Sequence, residues 1–176
     1  VADVQGGRAR LRPTPSPIAP GRAVAPIPTG DVDVRFTFAL ESVARQGVGF
    51  YVRQNGGYLG ETVPPGEGYA LFLEGFTGDS LIGIWRERLG IEEPLIRTPA
   101  PFDFVDGASY RARLRVNQTS PTETLIQARV WPVGDAEPAL WHVTWVDALA
   151  SLQNVSGGIA RDAFTLAGGP GTPSGF

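Results

Sequence analysis

The chain has no cysteine, no methionine and no lysine, and His142 is its only histidine. Without cysteine there is no disulfide, no thiolate nucleophile and no thiolate metal site. One histidine and no cysteine also exclude an ordinary zinc centre. A Ser-His-Asp hydrolase would have to use His142, yet no Gly-x-Ser-x-Gly elbow exists to partner it. His142 therefore reads as a plain sheet-face histidine. A glucanase on this fold would need paired carboxylates at alternate positions of one strand, so that both reach the same sugar, and the pattern Glu-x-Asp-x-x-Glu occurs nowhere. Glu92 and Glu93 are adjacent and would face opposite sides of a strand. Asp31 and Asp33 share a face but sit at a strand start, where solvated carboxylates are ordinary. No catalytic residue is expected, and the chain is read as a non-enzyme.

Long apolar runs are also lacking, so no transmembrane helix is expected, and no charged and apolar leader opens the chain. It does not begin with methionine, which suggests a processed chain or a piece of a longer one. The formal charge of -3 gives no electrostatic case for nucleic acid or for an anionic membrane. All 15 strong cations are arginine, the composition of a GC-rich genome.

Glycine (23) and proline (16) are abundant and mark two things. The first is an extended arm over residues 1–30, punctuated by Pro13, Pro15, Pro17, Pro20, Pro26 and Pro28. Such a stretch cannot be helical and is a poor donor to a sheet, so polyproline II draped on a neighbour is expected. Within it, residues 7–12 could form one short edge strand. The second is a set of tight turns between short strands.

From Asp31 the pattern has period two: Val32, Val34, Phe36, Phe38 and Leu40 share one face against Asp33, Arg35, Thr37 and Glu41. Further strands are read at 48–53, 69–74, 80–86, near Leu95, at 110–117, 124–131, 141–145 and 158–166. The strands at 110–117 and 124–131 form a hairpin through Ser120-Pro121. Only 147–153 shows a helical turn. Short strands at roughly ten-residue spacing, with Gly- and Pro-rich turns, predict an all-β antiparallel sandwich over 31–176, of jelly-roll type.

One part of the pattern is specific. Tyr110-Arg111-Ala112-Arg113-Leu114-Arg115-Val116 precedes a hairpin that carries Ala128, Arg129, Val130, Trp131, Pro132, Gly134, Glu137, Pro138 and Trp141. This resembles the concanavalin A-like, laminin-G-like jelly rolls of secreted actinobacterial proteins and of minor tail proteins of actinobacteriophages. The resemblance spans about 31–166, and in its generic parts Gly157-Gly158-Ile159-Ala160-Arg161 matches a late strand. It also implies a closing Phe-Asp-x-Phe strand, which this chain lacks, so the domain is expected either to be truncated before that strand or to have its edge completed by the arm or a neighbour.

The resemblance implies a non-catalytic domain of a phage virion, in a tail or surface (decoration) protein, serving assembly or attachment to host glycan. Its partners would be other virion proteins, or a second copy through the arm, and a cell-surface glycan. The alternative is a carbohydrate-binding module of a secreted or cell-surface bacterial protein, extracellular rather than in a virion. Trp131 and Trp141 either lock the hairpin loop together with Pro132, Gly134, Glu137 and Pro138, or offer a sugar-stacking face. For sugar binding at one rim, Arg53, Asn55, Tyr58 and Trp85 are the candidates. No cofactor is required. Calcium, which some relatives bind, would fall to the loop carboxylates Asp79, Asp103, Asp106 and Asp135, each of which is equally a turn former. Arg111, Arg113 and Arg115 form a basic stripe that meets either an anionic glycan or cross-strand Asp33, Glu41 or Glu123.

Overall fold

The computed structural model describes residues 2–5, 8–11, 21–57, 64–75, 79–165 and 174–175. They form two antiparallel sheets packed face to face. The seven-stranded sheet runs β1 (Ala2–Gln5), β2 (Arg8–Leu11), β13 (Ser174–Gly175), β4 (Val32–Leu40), β9 (Ser109–Ser120), β10 (Glu123–Pro132) and β11 (Val143–Asp147). The six-stranded sheet runs β3 (Gly21–Thr29), β12 (Gly157–Thr165), β5 (Gln46–Gln54), β6 (Gly68–Glu74), β7 (Leu81–Arg88) and β8 (Ile91–Pro99). The neighbours β4–β9 and β3–β12 are far apart in sequence, which is the crossing pattern of a jelly roll rather than of a meander.

The period-two reading of β4 holds: Val32, Phe36, Phe38 and Leu40 are buried, while Asp33, Arg35 and Thr37 face solvent. Phe36 stacks on Phe50 of the opposite sheet at 4.5 Å between ring centroids. Phe38, Phe104 and Tyr110 close the same core by tilted and edge contacts. Every residue of β5 and β6 is buried. Their inward faces join the main core, and on the outward side Tyr51, Ala70 and Phe72 form a second cluster with Ala160 of β12, with Trp85 and Phe164 packed against it.

Two expectations change. Residues 21–29, read as arm, form β3, paired along β12. Proline fits there because β3 is an edge strand, where a missing N–H costs no ladder bond, and because the register shifts between Gly157 and Ile159. Trp141, read as the first residue of a strand, precedes β11 and lies in the loop after β10. His142 N–H still bonds Ala128 O (3.0 Å), so the ladder begins only behind the indole. The hairpin β9–β10 pairs from Tyr110–Pro132 to Ser120–Glu123, as the sequence predicts. The helical turn at 147–153 is one 3-10 turn, Ala150–Leu152. The two-residue β13 bridges β2 and β4.

Candidate functional site

Of the four residues predicted at one rim, the three that are described do not come together. Arg53 adopts φ 53°, which turns its side chain from the outer face of β5 into the end of the sandwich. There it is buried (2% exposed) and donates to Gly30 O (2.8 Å), Gln118 Oε1 (3.1 Å), Thr124 Oγ1 (3.0 Å) and Leu152 O (2.9 Å). It ties β5, β9, β10 and the 3-10 turn together, and burial lowers its pKa. A guanidinium so enclosed cannot meet a sugar at the surface, which corrects the expectation. Asn55 is exposed but shapes its own loop: its Oδ1 accepts from Gly57 and Glu67 N–H, and its amide donates to Pro65 O. Trp85 lies on the outer face of the six-stranded sheet, edge-on to Phe72 at 5.3 Å, with its indole N–H buried and unpartnered. Tyr58 lies outside the described residues.

The chemistry gathers instead on the outer face of the seven-stranded sheet. Antiparallel pairing sets Asp33 opposite Arg115, Arg35 opposite Arg113 and Thr37 opposite Arg111; on the other side of β9, Arg129 faces Arg113 and Trp131 faces Arg111. The loop after β10 folds back over this face. Its Glu137 accepts from Arg35 Nε (2.9 Å) and Arg113 Nη1 (2.8 Å), and pairs with Arg129. Arg113 also holds Asp33 through two bonds of 2.6 Å. Burial alone would raise Glu137, but the bonds from Arg113 and Arg35 and the charge of Arg129 hold it below the ordinary carboxylate range. The Arg113 bond does the same for Asp33. Bonds to Asp33 and Glu137 in turn raise Arg113. Of the stripe's expected partners, Asp33 is used, and Glu137 supplies the other charge.

Beside this network lies a depression of about 260 Å³ lined by Arg35, Phe36, Thr37, Arg111, Trp131 and Glu137. Trp131 is 3% exposed and forms its floor rather than a stacking platform. Trp141 lies against the guanidinium of Arg129 (4.3 Å) and within 5.5 Å of Arg113. Arg129 Nη1 donates to the carbonyls of Pro138 and Ala139, so the loop is clamped at both ends. Gly134 takes φ 109°, where a side chain would be strained. His142 Nδ1 accepts the Val130 N–H, and burial with the nearby Arg129 charge lowers its pKa.

At the opposite end of the core, Tyr69 donates to Asp147 (2.8 Å) and Arg86 pairs with Asp147 (2.7 Å) and Glu93 (2.6 Å). Burial, and then the bond to Asp147, pushes the Tyr69 hydroxyl up. Neutral and bonded, it is structural. Asp79, Asp103, Asp106 and Asp135 are exposed, and Asp106 accepts the Val43 N–H (2.6 Å). Among the described residues, no three His, Cys, Asp or Glu side chains are grouped to hold a metal. None of the helices among them is long and apolar enough to cross a membrane.

Sequence reasoning missed Arg35, Thr37 and Glu137 as neighbours of Arg111. The alternation of β4 and β9 was visible, but the pairing that puts Thr37 beside Arg111 was not.

No known family profile matches the chain, and no curated protein sequence does. Solved structures show the same fold at low identity. The carbohydrate-binding module CBM66 from Bacillus subtilis superposes with a TM-score of 0.59 at 10% identity, over 95% of this chain and 88% of that one. The CBM2 module of the evolved Dit of Lactobacillus casei BL23 phage J-1 gives 0.55 at 11%, over 99% and 76%. A xylan β-1,4-xylosidase from Bacillus halodurans C-125 gives 0.61 at 13%, over 98% of this chain but only 32% of that one.

Proposed function

We propose that the chain is a non-catalytic glycan-recognition module whose binding site is the depression on the outer face of the seven-stranded sheet. The observation that carries this reading is the convergence there of Arg35, Thr37, Arg111 and Glu137 over the Trp131 floor. These are planar and hydroxyl donors and acceptors, held by a locked loop, of the kind that fixes sugar hydroxyls in a preformed site. The carbohydrate-binding modules among structures of similar fold support it. Catalysis does not fit the site. A glycosidase needs one carboxyl held protonated as a general acid, whereas arginines hold Asp33 and Glu137 ionised.

We infer a phage virion, in a tail or surface protein, as its setting. Support comes from the hairpin 128–141 and from the phage Dit module of like fold. A secreted or cell-surface bacterial protein is the alternative setting, and the binding face would serve in either. Asn55 and Trp85 remain expectations for a second contact on other faces.

The test is a broad glycan panel with the wild-type chain and Thr37→Phe, which fills the depression from an exposed position on β4. Binding by the wild type that the variant loses is the expected result. No retention of any glycan, or retention that Thr37→Phe leaves intact, would overturn the assignment.

A further inference from the structure

Around the depression stand five arginines, Arg35, Arg111, Arg113, Arg115 and Arg129, against two carboxylates, Asp33 and Glu137. These seven residues carry a formal +3 in a chain whose total is -3. The two carboxylates are spent on Arg35, Arg113 and Arg129. Arg111 and Arg115 make no ion pair among the described residues, although Arg115 lies opposite Asp33 and its charge helps to hold that carboxyl low; Arg111 is exposed at the edge of the depression. Both lie on β9 and on one face, with the neutralised Arg113 between them. Four residue steps along the strand separate them, about 13 Å at the usual rise.

We propose, resting on the glycan reading above, that this face selects a polyanionic glycan, a polymer with repeated carboxylate or phosphodiester groups. Arg111 takes one anionic group in the depression, beside the Thr37 hydroxyl and the exposed Arg35. Arg115 takes another further along β9. Two unpaired cations at that separation favour a chain over a single anion, because one small anion reaches only one of them. Arginine suits both anions, since its planar fork meets carboxylate and phosphate oxygens in pairs. The charge excess also predicts faster, salt-sensitive association, since anions are drawn to a positive concave surface.

The test is affinity electrophoresis and calorimetry of the full chain against polygalacturonate, poly(glycerol phosphate), monomeric galacturonate and the uncharged polymers dextran and xylan. At least one polyanion should bind about tenfold or more tighter than the uncharged polymers and the monomer. Raising the salt from about 0.01 M to about 1 M, which shortens the screening length from about 30 Å to about 3 Å, should weaken it at least about tenfold. Arg111→Gln and Arg115→Gln should each weaken binding about fivefold or more. Arg111→Gln should leave the melting temperature unmoved, because its exposed side chain makes no ion pair among the described residues, and Arg115→Gln, which lies opposite Asp33, should lower it by no more than about 2 °C. Preference for polygalacturonate or for the phosphate polymer identifies the anion, and either supports the proposal. Equal or tighter binding of an uncharged polymer, indifferent to Arg111→Gln, overturns the anionic selection and leaves the glycan reading intact. Failure of every polymer overturns both.

Discussion

Glu137→Gln probes whether the loop over the outer face of the seven-stranded sheet is held by charge. Glu137 is the common acceptor of three guanidiniums, which differ in exposure: the side chain of Arg35 is 57% exposed, that of Arg113 19% and that of Arg129 9%. The Arg35 pair should contribute about 0–1 kcal/mol, as exposed pairs do. Hydrogen bonds to a charged acceptor away from water contribute about 1.5–3 kcal/mol each. Glutamine keeps one acceptor oxygen, and Arg129 keeps its bonds to Pro138 and Ala139 and its contact with Trp141. The net loss should therefore be about 2–3 kcal/mol. For a chain of this size each kcal/mol moves the midpoint by about 2–4 °C, so the shift should be about 4–12 °C downward. Circular-dichroism melts at neutral pH and low salt measure it, with Arg35→Gln as the control. That exposed change should stay within about 0.5 kcal/mol, or about 2 °C. If Glu137→Gln melts with the wild type, or the two variants fall equally, the loop is not clamped by the buried pairs and the reasoning fails.

Arg53→Met should cost about 3 kcal/mol or more, because it leaves the acceptors on Gly30, Thr124 and Leu152 without their buried donor; guanidinium unfolding reads the loss. Glycan retention per folded molecule should not change, and a specific loss of retention would restore Arg53 to the binding face. Gly157→Ala would push a Cβ into the Arg53 carbonyl, a backbone overlap that should cost about 1–3 kcal/mol, and an unaltered urea midpoint would contradict the close approach. His142 is held neutral by burial and Arg129, so below the unfolded value of about 6.5 the native state binds fewer protons than the unfolded one. Stability is then full above about pH 6.5 and falls as pH drops through the native pKa; His142→Gln should flatten that slope. Asp33 and Glu137, whose pKa values are depressed, add a loss of the same sign only below about pH 4.5.

Alternation along 32–40 and 110–117 specified which side chains face the core, because a strand's period of two is local backbone geometry and survives in any sheet. The β9–β10 hairpin was equally legible, since its partners are joined by a two-residue turn. The lack of a cysteine, and of any histidine besides His142, also bounded the chemistry before any fold was known. Pairings between distant segments were not legible. That Arg53 turns inward depends on one left-handed residue and on acceptors up to 99 positions away. That Pro26 and Pro28 sit in a strand depends on β3 being an edge, which follows from sheet order rather than composition. The proposed binding face itself required β4 to lie against β9, and the loop carrying Glu137 to fold across both. The sequence held the arginine stripe and the tertiary structure supplied its counter-charges, because side-chain charge is local while charge complementarity is a property of neighbours in space.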